Sequence, residues 1–254
     1  MNLTARSSSS VLAAATLLAA GAILAGPATA AAAAPTWAPA ASASIHPGVQ
    51  MYTEGAQCTA NFVFTDAAGT TYVGYAAHCA GTPVGEGTLA YSSWLTMQQR
   101  GERDPHTCDY NDLALVQVDA DDVAKVNPSV PFWGGPVGIN TEGTAAGDTV
   151  YSYGNSSLRA GVSQLSPKQG SSLGTTGEGW THPVYTVSPG VPGDSGSAFL
   201  DAEGNALGTL STLAIAPLAG SNGVGDLAHE LAYAQQHGGI AGLELVPGTE
   251  PFTP

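Results

Sequence analysis

Basic residues are the scarcest class in this chain. Six Lys and Arg stand against 20 Asp and Glu in 254 residues, a formal net charge of −14. Such a balance repels the phosphate backbone of nucleic acids and anionic membrane surfaces, so neither is an expected partner. Charged residues of both signs make up only 10% of the chain. Cysteine is rare: Cys58, Cys79 and Cys108, an odd number with no two close together. Without a close Cys pair or paired histidines, the spacing of a zinc site is missing, and no metal or other cofactor is expected. No apolar run reaches the roughly 20 residues that a membrane span requires.

The longest apolar run, residues 11–25, is 15 residues long and rich in alanine. Arg6 precedes it and the small-x-small triplet Ala28-Thr29-Ala30 follows. Residues 1–30 therefore read as a secretory signal rather than an anchor. Residues 31–44, rich in Ala, Pro and Ser, read as a disordered linker. The expectation is a secreted, extracellular monomer. About 210 residues remain, enough for one large core or two small ones.

Glycine and proline are plentiful, 33 and 17 residues. Short strands separated by turns fit that composition. Residues 58–65 form an apolar and β-branched run, 66–69 a Gly-containing turn, and 70–77 resume the run, a hairpin signal. Residues 88–97 and 113–118 read as further strands. Pro128, Pro131, Gly134, Gly135 and Pro136 break the chain. Beyond them, 149–153, 184–187, 197–200 and 206–213 are short strand candidates. One helix is expected late, with Leu227, Leu231 and Ala234 on one face, Asp226 as N-cap, and Gly238-Gly239 at its end. His229 and His237 fall on it, and His46, His106 and His182 fall in polar or Pro-containing loops. None of these five histidines is assigned a role.

Three motifs carry chemistry. They are Ala76-Ala77-His78-Cys79, Asn111-Asp112-Leu113-Ala114-Leu115 and Gly193-Asp194-Ser195-Gly196. A serine hydroxyl is a poor nucleophile at neutral pH. It needs an imidazole to take its proton and a carboxylate to hold that imidazole in the right tautomer. His78 is the candidate base, since histidine changes charge near neutral pH. Asp112 opens an apolar run, where a carboxylate is costly without a partner. Asp109, also nearby, does not match the Asp-Leu-Ala-Leu pattern. Gly193 allows its amide and that of Ser195 to face one spot, as an oxyanion hole requires.

The order His, Asp, Ser differs from that of subtilisins and of α/β-hydrolases. The chain resembles the chymotrypsin-like (trypsin-fold) serine proteases, particularly the compact secreted bacterial kind, over residues 45–237. The resemblance implies an all-β fold of two packed six-stranded antiparallel barrels with a C-terminal α-helix. It places an N-terminal barrel at 45–127, a linker at 128–145, a C-terminal barrel at 146–225, the helix at 226–238 and a tail at 239–254. It implies a serine endopeptidase with protein or peptide substrates and the triad His78, Asp112 and Ser195. It also implies a Cys58–Cys79 disulfide, which leaves Cys108 as a free thiol or the remnant of a loop disulfide.

Further roles follow from the same resemblance. Ser211 matches the serine that hydrogen-bonds the triad Asp and lines the substrate groove. Pro189, Gly190 and Val191 would form one wall of the primary pocket, and Ser211, Thr212 and Leu213 the other. None is charged, so a small or medium uncharged side chain is the expected substrate residue. Asp194 would pair with Arg159, because Ile45-His46-Pro47-Gly48 is not the Ile-Val-Gly-Gly start whose amine serves animal relatives. Ser197 replaces the usual second Gly after the nucleophile, and Thr212-Leu213 the usual Trp-Gly. Two other functions compete. A serine esterase on the α/β-hydrolase plan is opposed by Ser197, which breaks Gly-x-Ser-x-Gly. A non-catalytic secreted binding protein on the protease fold is opposed by the intact trio.

Overall fold

The computed structural model describes residues 35–81, 87–96, 110–214 and 220–254. His106 and Cys108, and the leader expected at 1–30, lie outside them. The described residues form thirteen strands and one α-helix. The strands of the first half are β1 (Gln50–Thr53), β2 (Ala56–Thr59), β3 (Val63–Thr65), β4 (Thr71–Ala76), β5 (Thr88–Thr96) and β6 (Tyr110–Gln117). Those of the second are β7 (Ala146–Tyr153), β8 (Pro167–Leu173), β9 (Thr181–Thr186), β10 (Ala198–Leu200), β11 (Ala206–Ala214) and β12 (Ser221–Asp226). Helix α1 (Leu227–His237) and a two-residue β13 (Glu244–Leu245) follow.

The second half closes into a six-stranded barrel in the order β10-β11-β12-β9-β8-β7, with antiparallel pairing throughout. Its interior holds Val150, Val184, Phe199, Leu207, Leu210 and Val224. Alternation explains this filling, because every second residue of a barrel strand faces inward. The first half, expected as a second six-stranded barrel, is not closed among the described residues. Among the described residues it is a five-stranded sheet, β13-β3-β4-β6-β5, beside the separate hairpin β1-β2.

The apolar run at 58–65 is two strands, not one. Residues 60–62 change partner between them: Ala60 donates its N–H to Val49, whereas Asn61 donates to Gly74. The Asn61 side chain then accepts from the Phe62 N–H and donates to Thr209 Oγ1. A polar residue with three such partners stabilises the break that hydrophobicity alone would not reveal.

The segment at 31–44, expected to be disordered, is held from residue 35 on. Trp37 and Ile45 pack against Val63, Val73 and Val126, and Ala38 donates its N–H to the Val126 carbonyl at 2.8 Å. The chain after α1 also returns to the core. β13 pairs with β3, and Phe252 packs against Tyr151. The helix begins as its sequence requires: the Asp226 side chain accepts from the His229 N–H at 2.8 Å. Its Leu227, Leu231 and Ala234 join Leu113 and Leu115 of β6 and Leu200 of β10 in one core cluster. Among the described residues no helix is long and apolar enough to cross a membrane.

Candidate active site

His78 sits in a 3-10 turn, Ala77–Cys79, at the end of β4. Cys79 is bridged to Cys58 of β2, with Cα atoms 6.4 Å apart, so the turn is tied to the neighbouring hairpin. Both sulfurs lie near His78, but bridged sulfurs are not thiolates and offer no metal ligand. Asp112, fully buried on β6, faces this turn. Its Oδ1 accepts from the His78 backbone N–H at 2.8 Å, and its Oδ2 lies 2.7 Å from His78 Nδ1. Ser211 Oγ donates to the same Oδ2 at 2.5 Å. Three donors on one buried carboxylate compensate its desolvation and fix the imidazole's orientation.

Ser211 reaches Asp112 through a backbone irregularity. β11 pairs Leu210 with Val224 and then Thr212 with Gly223, so Ser211 is an extra residue in the ladder. Such a bulge re-aims a side chain. Leu210 stays in the barrel interior while Ser211 turns to the carboxylate.

Ser195 lines a cleft of about 190 Å³ together with Gly190, Val191, Pro192, Leu210, Ser211, Thr212, Leu213 and Asn222. Five of the six expected wall residues are there. Pro189 does not line the cleft; its carbonyl accepts from Arg159 instead, at 3.0 Å. Leu210 and Asn222 take its place. Asn222 Oδ1 accepts from the Gly190 N–H at 2.9 Å, which turns this neutral amide towards the cleft's wall. Nothing in the polar stretch Ser221-Asn222-Gly223 had marked it as a strand. A second cavity, of about 220 Å³ lined by β1, β4 and β6, contains none of these residues.

The loop before Ser195 is locked from both sides. Gly193 and Gly196 have φ of +94° and +89°, in the region that only glycine enters without strain. The Pro192 carbonyl accepts from Ser156 Oγ at 2.5 Å. In a trans peptide the C=O and the following N–H point opposite ways, so the Gly193 N–H is turned away from Ser156. Among the described residues the N–H groups of Gly193 and Ser195 have no protein acceptor, whereas those of Asp194, Gly196 and Ser197 are all used. The Gly193 carbonyl accepts from Thr59 Oγ1 and Gln57 Nε2, and the Ser195 carbonyl from the Thr59 N–H, so β2 braces the loop. Ser197, in the place of the usual glycine, donates its hydroxyl to the Asp194 carbonyl at 2.5 Å.

Asp194 is fully buried beneath this loop. Arg159 Nη2 lies 2.5 Å from its Oδ2, and the same guanidinium reaches Ser188 and Pro189. Lys168 of β8, also fully buried, lies 3.1 Å from Oδ2. The ammonium is in ion-pair range but poorly aligned for a hydrogen bond, so the attraction is chiefly Coulombic. Burial alone would raise the Asp194 pKa. The Arg159 hydrogen bond and the Lys168 charge outweigh it and hold the carboxyl below its ordinary value. Burial, with Arg159 adding repulsion, pulls the Lys168 pKa down despite Asp194. Ile45 forms an isolated bridge with Val126.

Two further groups flank the histidine. Trp94, on β5 opposite Asp112, places its ring 6.1 Å from the His78 ring and remains exposed. Glu230, on α1, accepts the Asp112 N–H. His182 is not in a loop as expected. It is buried in β9, where its Nε2 lies 2.8 Å from Asp226 Oδ2, and His229 Nδ1 lies 2.7 Å from Asp226 Oδ1. Burial would raise the Asp226 pKa, but the His182 and His229 hydrogen bonds hold it below the ordinary range. Among the described residues no hydrogen bond joins Ser195 Oγ to His78, and in resting sites that contact is often long.

Solved structures share this architecture. Thermobifida fusca protease A covers 80% of this chain with 99% of its own, at a TM-score of 0.54 and 19% identity. The fold is that of the chymotrypsin-like serine proteases. A glutamic acid specific serine protease, described as using a histidine triad in substrate binding, matches at 0.51 and 20% identity, over 74% of this chain and 96% of that one. Cellulomonas bogoriensis chymotrypsin matches at 0.50 and 20%, over 80% and 98%. No family model matches the chain, and no curated protein matches it in sequence. In this chain Ser195 lies in the loop before β10 and Ser211 on β11, both in the second half, whereas His78 and Asp112 lie in the first.

Proposed function

We propose that the chain is an exported serine endopeptidase with His78, Asp112 and Ser195 as its triad. The observation that carries this reading is the Asp112 carboxylate. It gathers the His78 ring, the His78 N–H and Ser211, and Ser211 lines the same cleft as Ser195. With its Nδ1–H committed to Asp112, neutral His78 has Nε2 free to accept the Ser195 proton. Ser195 Oγ then attacks the scissile carbonyl, and the N–H groups of Gly193 and Ser195 stabilise the oxyanion. His78 passes the proton to the leaving amine, and water reverses the sequence on the acyl-enzyme. Asp194, Arg159 and Lys168 hold the nucleophile loop in shape. The bridged cysteines and the signal-like residues 1–30 support export. The test is a fluorophosphonate probe followed by peptide mapping, alongside a casein digest. Label on Ser195 with casein cleavage is expected. An unlabelled, inert protein favours a binding protein on this fold, and label without casein cleavage favours an esterase.

The primary pocket is proposed to take small or medium uncharged side chains. Among the described residues no charged side chain lines the cleft, and Leu210 and Asn222 each lie 2.9 Å from where a Cβ on Gly190 would stand, which limits its depth. A guanidinium without a carboxylate partner loses several kcal/mol of solvation there. In a panel of peptide amides varied before the cut, kcat/KM for Ala, Val or Leu is expected to exceed that for Arg or Lys. A tenfold preference for Arg or Lys would overturn the neutral pocket.

A further inference from the structure

Glu230 is fully buried on α1, four residues after the Asp226 cap. Its Oε1 accepts from the Asp112 backbone N–H at 2.9 Å, and its Oε2 is 2.9 Å from Thr209 Oγ1 on β11. Thr209 Oγ1 in turn accepts from Asn61 Nδ2 at 3.2 Å. One carboxyl thus ties three pieces of the fold at the back of Asp112: the break between β2 and β3, the strand that carries Ser211, and the C-terminal helix. The front of Asp112 is held by His78 and Ser211. Its backbone would otherwise be fixed only by the β6 ladder.

We propose that Glu230 is a positioning residue for Asp112, fixing from the helix the carboxylate that orients His78, and that it does so as the neutral acid. The proposal rests on reading His78, Asp112 and Ser195 as the triad. The titratable groups that face Glu230 are Asp112 from β6, Asp226 at its own helix start and Tyr91 from β5; β11 offers only the Thr209 hydroxyl. Complete burial pushes its pKa well above the ordinary carboxyl value. The hydrogen bonds from Asp112 and Thr209 oppose this, and the Asp112 and Asp226 charges add to it. Thr209 Oγ1 donates to the ionised form; as the neutral acid Glu230 leaves Asp112 as the anion nearest the imidazole and turns that bond round, Oε2–H donating to Thr209 Oγ1. A glutamine would reproduce both contacts.

The experiment compares Glu230→Gln, Glu230→Leu and Thr209→Val in the full chain by two readouts. The first needs no turnover: the low-field proton resonance of the His78–Asp112 hydrogen bond. The second is the pH profile of kcat and KM on a peptide amide. Glu230→Leu is expected to shift or broaden the resonance and to lower kcat by about 10- to 100-fold, with KM within about twofold, as for a misplaced catalytic group. Glu230→Gln is expected to keep the resonance, recover most of kcat and leave the acid limb where it was. Thr209→Val, which keeps Glu230 but removes its anchor, should show a smaller loss of the same kind, and decides the matter should the leucine variant not fold. A wild-type resonance and kcat in Glu230→Leu, or equal damage in Glu230→Gln, would overturn the positioning role. An acid limb moved to lower pH in Glu230→Gln would overturn the neutral state, since loss of an anion disfavours the imidazolium. Should the wild type show the resonance but no turnover, the protease reading fails while the resonance comparison still decides the role of Glu230.

Discussion

Replacing Ser195 with alanine is expected to lower peptide-amide turnover by about 10⁴- to 10⁶-fold and leave the fold unchanged. The size follows from the triad acting as a unit: without the nucleophile, the base and its carboxylate have nothing to activate. The residual rate would come from the oxyanion donors and from binding. The fold should survive because the structural work at this position is done by the backbone. The Ser195 carbonyl accepts from the Thr59 N–H at 2.8 Å, and alanine keeps it. The Ser195 hydroxyl has no protein partner among the described residues, so its removal should shift stability by no more than about 0.5 kcal/mol. The check is kcat with circular dichroism and thermal unfolding on the same preparation. Native spectra with kcat within tenfold of the wild type would mean that another group attacks.

Replacing Asp112 with asparagine is expected to lower kcat by about 10⁴ at neutral pH. The carboxylate accepts three hydrogen bonds, from the His78 N–H, His78 Nδ1 and Ser211 Oγ. A carboxamide has one acceptor oxygen. With that oxygen towards His78 N–H and the NH2 towards the ring, Nδ1 must accept, and the ring proton moves to Nε2. That tautomer donates towards Ser195 instead of accepting from it. With the amide reversed, the backbone N–H of His78 loses its acceptor in a buried place, at about 1–3 kcal/mol. Fluorophosphonate labelling rates should fall with kcat while KM changes little. A kcat within tenfold of the wild type would remove Asp112 from the mechanism.

Much of the second half was legible from local pattern. β7, β9, β10 and β11 all overlap apolar, β-branched runs, and α1 begins and ends where Asp226 and Gly238 place it. β8 and β12 were not legible. Pro167–Leu173 and Ser221–Asp226 are rich in Ser, Gly and polar residues, and their strand character comes from neighbours that complete the barrel's ladder. Lys168 shows the same limit at the site. A lysine in a polar stretch reads as solvated surface, and only barrel closure turns it inward beside Asp194. His182 fails likewise: a histidine next to Pro183 reads as loop until β9 pairs with both β8 and β12.

The sequence by itself determined the candidate chemistry through local residue types: Gly193 and Gly196 around Ser195, His78 beside a cysteine, and Asp112 at the head of an apolar strand, where a carboxylate is costly without a partner. The order of the three then restricted the fold. The tertiary structure alone decided what supports them: Ser156 turning the 192–193 peptide, the bulge at Ser211, Asn222 and Leu210 in the cleft, and Glu230 behind Asp112. The physical reason is range. A backbone φ or a strand's alternation is set within a few residues, whereas burial and hydrogen-bond partners are set by distant segments, as Asp112 and Glu230 are with a separation of 118 and Asn61 and Thr209 with 148.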